Sequence, residues 1–364
     1  MQSVIPSRNP WMQKQTKYII VGGGVAGTVL ALNMYFRNIP FVLIDDGDKN
    51  NSSRVSAGLF NPIVFKRLTK SWNIDLLFPE VKKFFSKAEQ LLGKSFLSDK
   101  NYLRILSSEE EKNFFIEKSK EDSMKNYLSS DIQTNLFPDI IDSKSGIVRV
   151  KGTGCVDLDI FLDSARDFLD SKDMFIKDEF NFDNLNILQN IRYKNISTEK
   201  IIFAQGFRNY ENPYFSWLPF KLVKGEILTV KINNFQANDI ISKNIFIVPL
   251  GNNLFKVGAT HNWDNIDCIP TEEGKKYLCD KLDDILKIPY QIIDHKASVR
   301  PSTRDRRPYL GTHPEYQNIH VFNGFGAKGV IMSPFLSSHL LDFLENDLPL
   351  DTEVDISRYL KYYN

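Results

Sequence analysis

Tyr18-Ile19-Ile20-Val21 is an unbroken apolar run, closed by Gly22-Gly23-Gly24. Residues 25–37 then take a helical spacing, and Phe41-Val42-Leu43-Ile44 is a second apolar run ending in Asp45-Asp46-Gly47. Short apolar runs bounded by turn residues read as buried strands, so the chain opens as strand, glycine turn, helix, strand. Residues 74–130 are rich in Lys, Glu, Ser and Phe and read as amphipathic helices, with 76–92 as an example. Further on come a strand at Ile147-Val148-Arg149-Val150, then Gly152 and Gly154, a helix over 158–169, and a strand at Lys200-Ile201-Ile202-Phe203-Ala204 stopped by Gly206. From residue 216 the pattern changes. The runs 226–232, 245–249 and 254–258 are short, and Gly251-Asn252-Asn253 separates the last two, which predicts an antiparallel meander. A strand at 319–322 and a helix over 330–344 flank the junction Asn323-Gly324-Phe325-Gly326-Ala327-Lys328-Gly329. There is no internal repeat.

Composition narrows this picture. A chain of 364 residues, 42% hydrophobic and 25% charged, is an ordinary globular mix long enough for two domains. The formal charge is +1, so no basic face of the kind a non-specific nucleic-acid binder needs is expected. Cys155, Cys268 and Cys279 are too scattered for a disulfide framework or a zinc site and suggest a reducing compartment. The five histidines show no metal spacing; His261 is the one that could approach a site near residue 256. Residues 1–17 lack the apolar core of a signal peptide. Residues 18–36 are nearly as apolar as a membrane span, but the four glycines near their start have a better use. A non-membrane, cytoplasmic protein is expected.

That use is the G-x-G-x-x-G of Gly22-Gly23-Gly24-Val25-Ala26-Gly27. The motif follows a predicted strand, opens a predicted helix, and Asp45 lies about 20 residues beyond Gly24, the spacing of a dinucleotide fingerprint. Gly22 allows the tight turn, Gly24 lets the backbone approach a pyrophosphate, and Gly27 lets helix and strand pack closely. The helix N-terminus offers free N–H groups to the phosphates, and Asp45 accepts from ribose hydroxyls. The junction from Gly324 to Gly329 joins a second strand to a second helix N-terminus. It could sit against the N1–C2=O edge of a flavin, with Lys328 adding positive charge, and this favours FAD as the dinucleotide; an ordinary glycine loop with a solvated Lys328 is the plainer reading.

With these residues in place, the sequence resembles the D-amino-acid-oxidase-like FAD-dependent oxidoreductases, which include glycine oxidase and sarcosine oxidase. The likeness covers nearly the whole chain in order. Ser53-Arg54-Val55-Ser56-Ala57-Gly58 resembles the family's flavin-covering segment. Ile202-Phe203-Ala204-Gln205-Gly206 is similar to a second strand-to-glycine motif below the cofactor, and 221–228 matches a segment before a strand. The most specific match is Val299-Arg300-Pro301-Ser302-Thr303-Arg304-Asp305-Arg306-Arg307-Pro308-Tyr309-Leu310-Gly311. The final segment 324–334 resembles the flavin-edge loop. Glycine oxidase carries an Arg where this chain has Ala327.

The resemblance implies an α/β fold: a Rossmann-like FAD domain from 17–75, 145–215 and 295–364, with a discontinuous substrate domain, an antiparallel sheet plus helices, from 76–144 and 216–294. It implies FAD held non-covalently, since no cysteine matches an attachment site. The cofactor set is Gly22, Gly24, Val25, Ala26, Gly27, Asp45, Asp46, Arg54, Ser56, Ala57, Gly58, Ala204, Gly206, Arg300, Gly324, Gly326, Ala327, Lys328 and Gly329. Arg300 is expected to grip a substrate carboxylate, with an ion pair to Asp305 as the structural alternative. Lys256, in a Lys256-Val257-Gly258 context like that of sarcosine oxidases, is expected over the flavin to assist oxygen reduction, or else in solvent. Lys66, Arg67 and Lys70 form a basic turn that could attract an anionic substrate. The expected reaction is oxidation of the C–N bond of a small amino acid or secondary amine by hydride transfer to flavin N5. The alternatives are a tRNA wobble-uridine-modifying oxidoreductase, 2-hydroxy-acid oxidation, and a non-enzymatic FAD-binding protein. The partner is a small molecule, nucleic acid and membrane are not expected, and monomer and homodimer stay open.

Overall fold

A computed structural model of the chain describes residues 13–134, 136–187 and 190–363. Residues 1–12 of the N-terminal stretch discussed above lie outside the described residues. The first strand, Lys14–Val21, is longer than its apolar run because its polar start Lys14-Gln15-Thr16 still pairs with Ile196-Ser197-Thr198. It is flanked on one side by Phe41–Asp45 and beyond it Phe175–Lys177, and on the other by Ile196–Phe203 and then Ile319–Asn323, all parallel. Alternation explains the continuous apolar sequence of these strands. Tyr18, Ile20, Leu43 and Ile202 enter the core shared with the helices, while Ile19, Val21, Val42, Ile44, Ile201 and Phe203 enter a second core on the opposite face.

The glycine turn separates that strand from the helix Val25–Phe36, which is apolar on most sides because it packs against the sheet and the helix Gly329–Asn346. Gly22 stands at φ +104°, in the region that favours glycine, and a β-carbon on Gly27 would run into the Gly22 carbonyl. No helix among the described residues is long and apolar enough to cross a membrane.

A second sheet of eight strands runs in the order Gln291–Arg300, Val223–Lys231, Leu254–Gly258, Phe246–Gly251, Ile240–Ser242, Tyr102–Ile105, Ile147–Val150, Leu128–Gln133. One of its faces is covered by the helix Glu272–Asp283, with Leu228, Val230, Ile247, Phe255 and Val257 packed on Leu278 and Leu282. The other face looks towards the parallel sheet.

Two expectations change here. Residues 74–130 are not all helical. The helices Ile74–Leu92 and Glu109–Lys120 enclose the strands Leu97–Asp99 and Tyr102–Ile105, and Leu128–Gln133 follows. Tyr102-Leu103-Arg104-Ile105 alternates only over four residues, and its strand character comes from pairing with Ile240–Ser242 and Ile147–Val150, both remote in sequence. Ile147–Val150 therefore belongs to the antiparallel sheet, although its residues fall in the range expected for the first domain.

Candidate active site

Between the two sheets lies a cavity of about 1160 Å3. Its floor starts at the carboxyl ends of the parallel strands, the place where open α/β sheets bind ligands. Asp45 ends its strand there. Its Oδ2 accepts the Gly23 amide at 2.6 Å and its Oδ1 the Gly47 amide at 2.9 Å, with Arg166 Nη2 3.4 Å away. Thr28 is the first residue to bond back into the helix, to Gly24 O at 2.9 Å, so the amides before it have no intrahelical acceptor. One of them, Val25 N, donates to Ser53 Oγ at 2.9 Å. Asp46 accepts from Arg208 Nη1 at 2.6 Å. Burial works to raise its pKa, but the Asp48 amide and the Arg208 guanidinium outweigh that and hold the carboxyl below its ordinary value.

Most of the expected cofactor residues converge on this cavity: Gly22, Gly24, Val25, Ala26, Asp45, Asp46, Ser56, Ala57, Gly58, Ala204, Gly206, Arg300, Gly326, Ala327, Lys328 and Gly329 all line it. Three do not. Gly27 packs helix on strand, and Gly324 turns the chain at φ +80° beside Thr303 and Tyr309. Arg54 points away: its guanidinium is 4% exposed and bonds Asp159 at 3.2 Å and Asp163 at 2.5 Å on the helix Leu158–Ser171. Lys256, expected as a catalytic residue, is also absent from the lining. Its Nζ donates to Ser56 O at 2.7 Å and Arg54 O at 3.3 Å. Burial lowers its pKa. The solvent alternative is corrected: Lys256 is buried and holds the backbone of the 53–58 loop.

The second sheet supplies the roof. Arg300 ends its strand with the guanidinium lining the cavity, donating from Nη1 and Nη2 to Thr260 O at 3.2 and 3.3 Å. It forms no ion pair among the described residues. Asp305, the alternative partner, is bonded to Arg358 at 3.0 Å. Burial pushes the Arg300 pKa down to about 10. Next to Thr260, His261 also lines the cavity, and burial followed by the Arg300 charge lowers its pKa, so its ring is neutral at neutral pH. Lys328 donates to Ser71 Oγ at 2.8 Å, and burial first, then Arg307 and Arg306, lower its pKa. It caps the helix Gly329–Asn346, whose first residues Gly329, Val330 and Ile331 line the cavity. Of the basic turn, Lys70 pairs with Asp75 at 2.8 Å, while Lys66 and Arg67 are exposed.

Ser53, His261, Arg104, Lys243 and Arg208 line or support the site; Ser53 lies in the 53–58 segment marked from sequence and His261 is the histidine expected to approach the site, while the sequence does not single out the other three. For Ser53 and His261 the signal was adjacency to a motif already in view. For the other three no local pattern marks them.

The donor set fits a long dinucleotide. An acid at a strand end suits a ribose, one helix N-terminus suits a pyrophosphate, and a second, beside Lys328, suits an electron-rich ring edge. An elongated cavity with those features between a parallel sheet and an antiparallel roof defines an FAD-dependent oxidoreductase. The chain matches the family described as FAD dependent oxidoreductase (DAO) over residues 17–342, and it belongs to that family. Glycine oxidase of Pseudomonas aeruginosa is 24% identical over 160 residues, covering 43% of this chain and 44% of the relative. The tRNA 5-methylaminomethyl-2-thiouridine biosynthesis bifunctional protein MnmC of Marinobacter nauticus is 20% identical over 355 residues, covering 89% of this chain and 54% of the relative. The chain thus spans about half the length of these two curated relatives. The crystal structure of glycine oxidase from Geobacillus kaustophilus superposes with a TM-score of 0.77 at 18% identity, covering 95% of this chain and 98% of that one, a likeness of fold.

Proposed function

We propose that this FAD-dependent oxidoreductase oxidises the C–N bond of a small amino acid or secondary amine that carries a carboxylate. The observation that supports it is Arg300: a cavity-lining guanidinium whose only hydrogen-bond acceptor among the described residues is the Thr260 carbonyl. Such a group has donors to spare for a planar two-point grip on a carboxylate, which fixes the α-carbon in one place. The bound flavin supplies the hydride acceptor. The chain's own part is to hold the carboxylate at Arg300, to keep a neutral imidazole, His261, beside the amine, and to roof the site with the apolar surfaces of Ile227 and Phe246. No protein base is required if the amine arrives unprotonated. FAD is held non-covalently in this reading, since none of the three cysteines lines the cavity. The tRNA-modifying alternative would need a basic RNA-facing surface, which a net charge of +1 does not favour.

Anaerobic titration tests the reading. Flavin absorbance of the purified holoprotein should be bleached by one or more amino acids or N-substituted glycines. Bleaching by 2-hydroxy acids alone, or by no carboxylate-bearing amine, would overturn it.

A further inference from the structure

Carboxylates around the cavity are segregated, and the two cations on their side, Arg208 and Lys194, are paired with Asp46, Asp48 and Asp178. Every carboxylate that lines the cavity, from Asp45 to Glu211, follows the carboxyl end of Phe41–Asp45, Phe175–Lys177 or Ile196–Phe203. The antiparallel roof contributes none. It contributes Arg300, Arg104 and Lys243 instead, and Lys328 lies on the cavity's second helix N-terminus. Arg300 and Lys328 have roles above; Arg104 and Lys243 have none.

Strand pairing shows how far apart the cations are. Gly258 pairs with Phe246, Phe246 with Ser242, and Ser242 with Arg104. Directly paired residues share a face, so all four look into the cavity. Arg300 sits on the edge strand, five strand intervals from Arg104, which at ~4.8 Å per interval separates their backbones by about 24 Å. A glycine-sized substrate held at Arg300 covers a small part of that roof. The far end has its own construction. Phe65 stacks on Tyr102 with centroids 4.5 Å apart and planes at 24°, and the Arg104 guanidinium lies 6.0 Å from the Phe65 centroid. Arg104 Nε and Nη2 are both bonded to Glu111 Oε1, at 3.2 and 2.9 Å, which leaves Nη1 without a partner among the described residues. Glu111 does not line the cavity, and its Oε2 is taken by the Ser107 amide. Lys243, at the turn between Ile240–Ser242 and Phe246–Gly251, forms no ion pair among the described residues. Glu111 pairs with Arg104 from outside the cavity, and Lys243 has no ion partner among the described residues, so this end of the roof presents cations to the cavity.

We propose that the substrate carries a second carboxylate, and that Lys243 together with Arg104 forms the subsite that receives it, the chain between the two acidic groups passing along the Phe65–Tyr102 wall. This rests on the reading of Arg300 as the first anchor. The substrate class is then an amine bearing two carboxylates, one beside the reacting carbon and one at the end of a side chain or N-substituent. Lys243 lines the cavity with no ion pair among the described residues, and a second carboxylate on the ligand would pair with it, whereas a monocarboxylate leaves it unpaired. Discrimination of this sort, in which a missing polar group leaves a built partner unpaired, is larger than that from a missing methylene.

Dead-end ligands test the subsite without turnover. Holoprotein is titrated, at low salt, with straight-chain dicarboxylates of five, seven and nine carbons and with monocarboxylates of the same lengths, following the flavin spectrum. At least one dicarboxylate should bind tenfold or more tightly than its monocarboxylate. In Lys243→Met the ratio should fall to within threefold, and in Lys243→Glu it should invert. Flavin content should not change in either variant, since Lys243 lies on a part-exposed turn. Equal affinities at all three lengths in the wild type, or a ratio unchanged in Lys243→Met, would overturn the subsite. Monocarboxylates that still bind, and lose binding in Arg300→Ala, would then leave the Arg300 reading standing. If no carboxylate binds, both are overturned.

Discussion

The Arg300 guanidinium lies on the bare α-carbon of Gly225, in the volume any side chain at 225 would occupy. The two residues sit on neighbouring strands, with Gly225 paired to Ser298 and Val223 to Arg300. Absence of a β-carbon on one strand thus sets where the cation on the next can lie. Gly225→Ala should displace the guanidinium from the Thr260 carbonyl. The expected result is a loss of tenfold or more in carboxylate affinity, with FAD content and melting temperature nearly unchanged. Ligand titration against flavin absorbance measures it.

Arg300 itself should follow the order wild type, Lys, Ala in kcat/KM, since Lys keeps the charge but loses the two-point fork. The Ala variant is expected to lose several kcal/mol of transition-state binding, on the order of a buried charge pair. The pH dependence has a definite sign. A guanidinium with its pKa pushed down to about 10 is charged at neutral pH and loses its charge as pH rises through 10. Carboxylate affinity should therefore fall above about pH 10 in the wild type, and Arg300→Ala should show no such limb. A variant that instead loses flavin or fails to fold would make the residue structural.

Asp45→Ala should weaken FAD binding. It removes a carboxylate from the ribose position and also frees the Gly23 and Gly47 amides it now accepts from. Charge-assisted hydrogen bonds contribute about 1.5–3 kcal/mol each, so a loss of tenfold or more in FAD affinity is expected. Apoprotein reconstitution monitored by flavin fluorescence measures it; unchanged affinity would remove Asp45 from the site.

Lys256→Met removes the two bonds that hold the Arg54 and Ser56 carbonyls. The loop carries Ser56, Ala57 and Gly58 into the cavity, so FAD retention should drop severalfold. Reduction and reoxidation of the flavin should keep their ratio in stopped-flow traces. A selective slowing of reoxidation would put the ammonium back at the reactive face.

His320 gives the parallel sheet an acid-sensitive point. It is 1% exposed, its Nδ1 lies 3.0 Å from Thr312 Oγ1, and burial, then the Lys200 charge, push its pKa down to about 3. The unfolded chain, with an ordinary value near 6.5, binds the proton first. Stability is then fully present above pH 6.5 and is lost as pH falls towards 3, by roughly 4–5 kcal/mol at the limit. Urea midpoints of His320→Gln should fall less steeply than wild type between pH 6.5 and 4. Parallel slopes would assign the acid sensitivity to carboxylates.

The nucleotide end of the site was legible in the amino-acid order because its parts are neighbours along the chain. Gly22 to Gly27 and Asp45 lie within one strand–turn–helix–strand unit, and each glycine answers a local demand, a positive φ or a close backbone approach. The junction 323–329 reads the same way. The roof follows a different rule. Tyr102–Ile105 becomes a strand by pairing with residues 240–242 and 147–150, and a four-residue run carries no signal of partners more than 40 residues away. Lys256 stands on the face opposite Phe255 and Val257 and meets the 53–58 loop two residues short of Gly258. Arg104 and Arg300 share one cavity because β-pairing between remote segments aligns their faces, with Lys243 and His261 carried in just beyond the ends of paired strands, and that alignment is set by the packing of the whole sheet, which no local pattern of residues encodes.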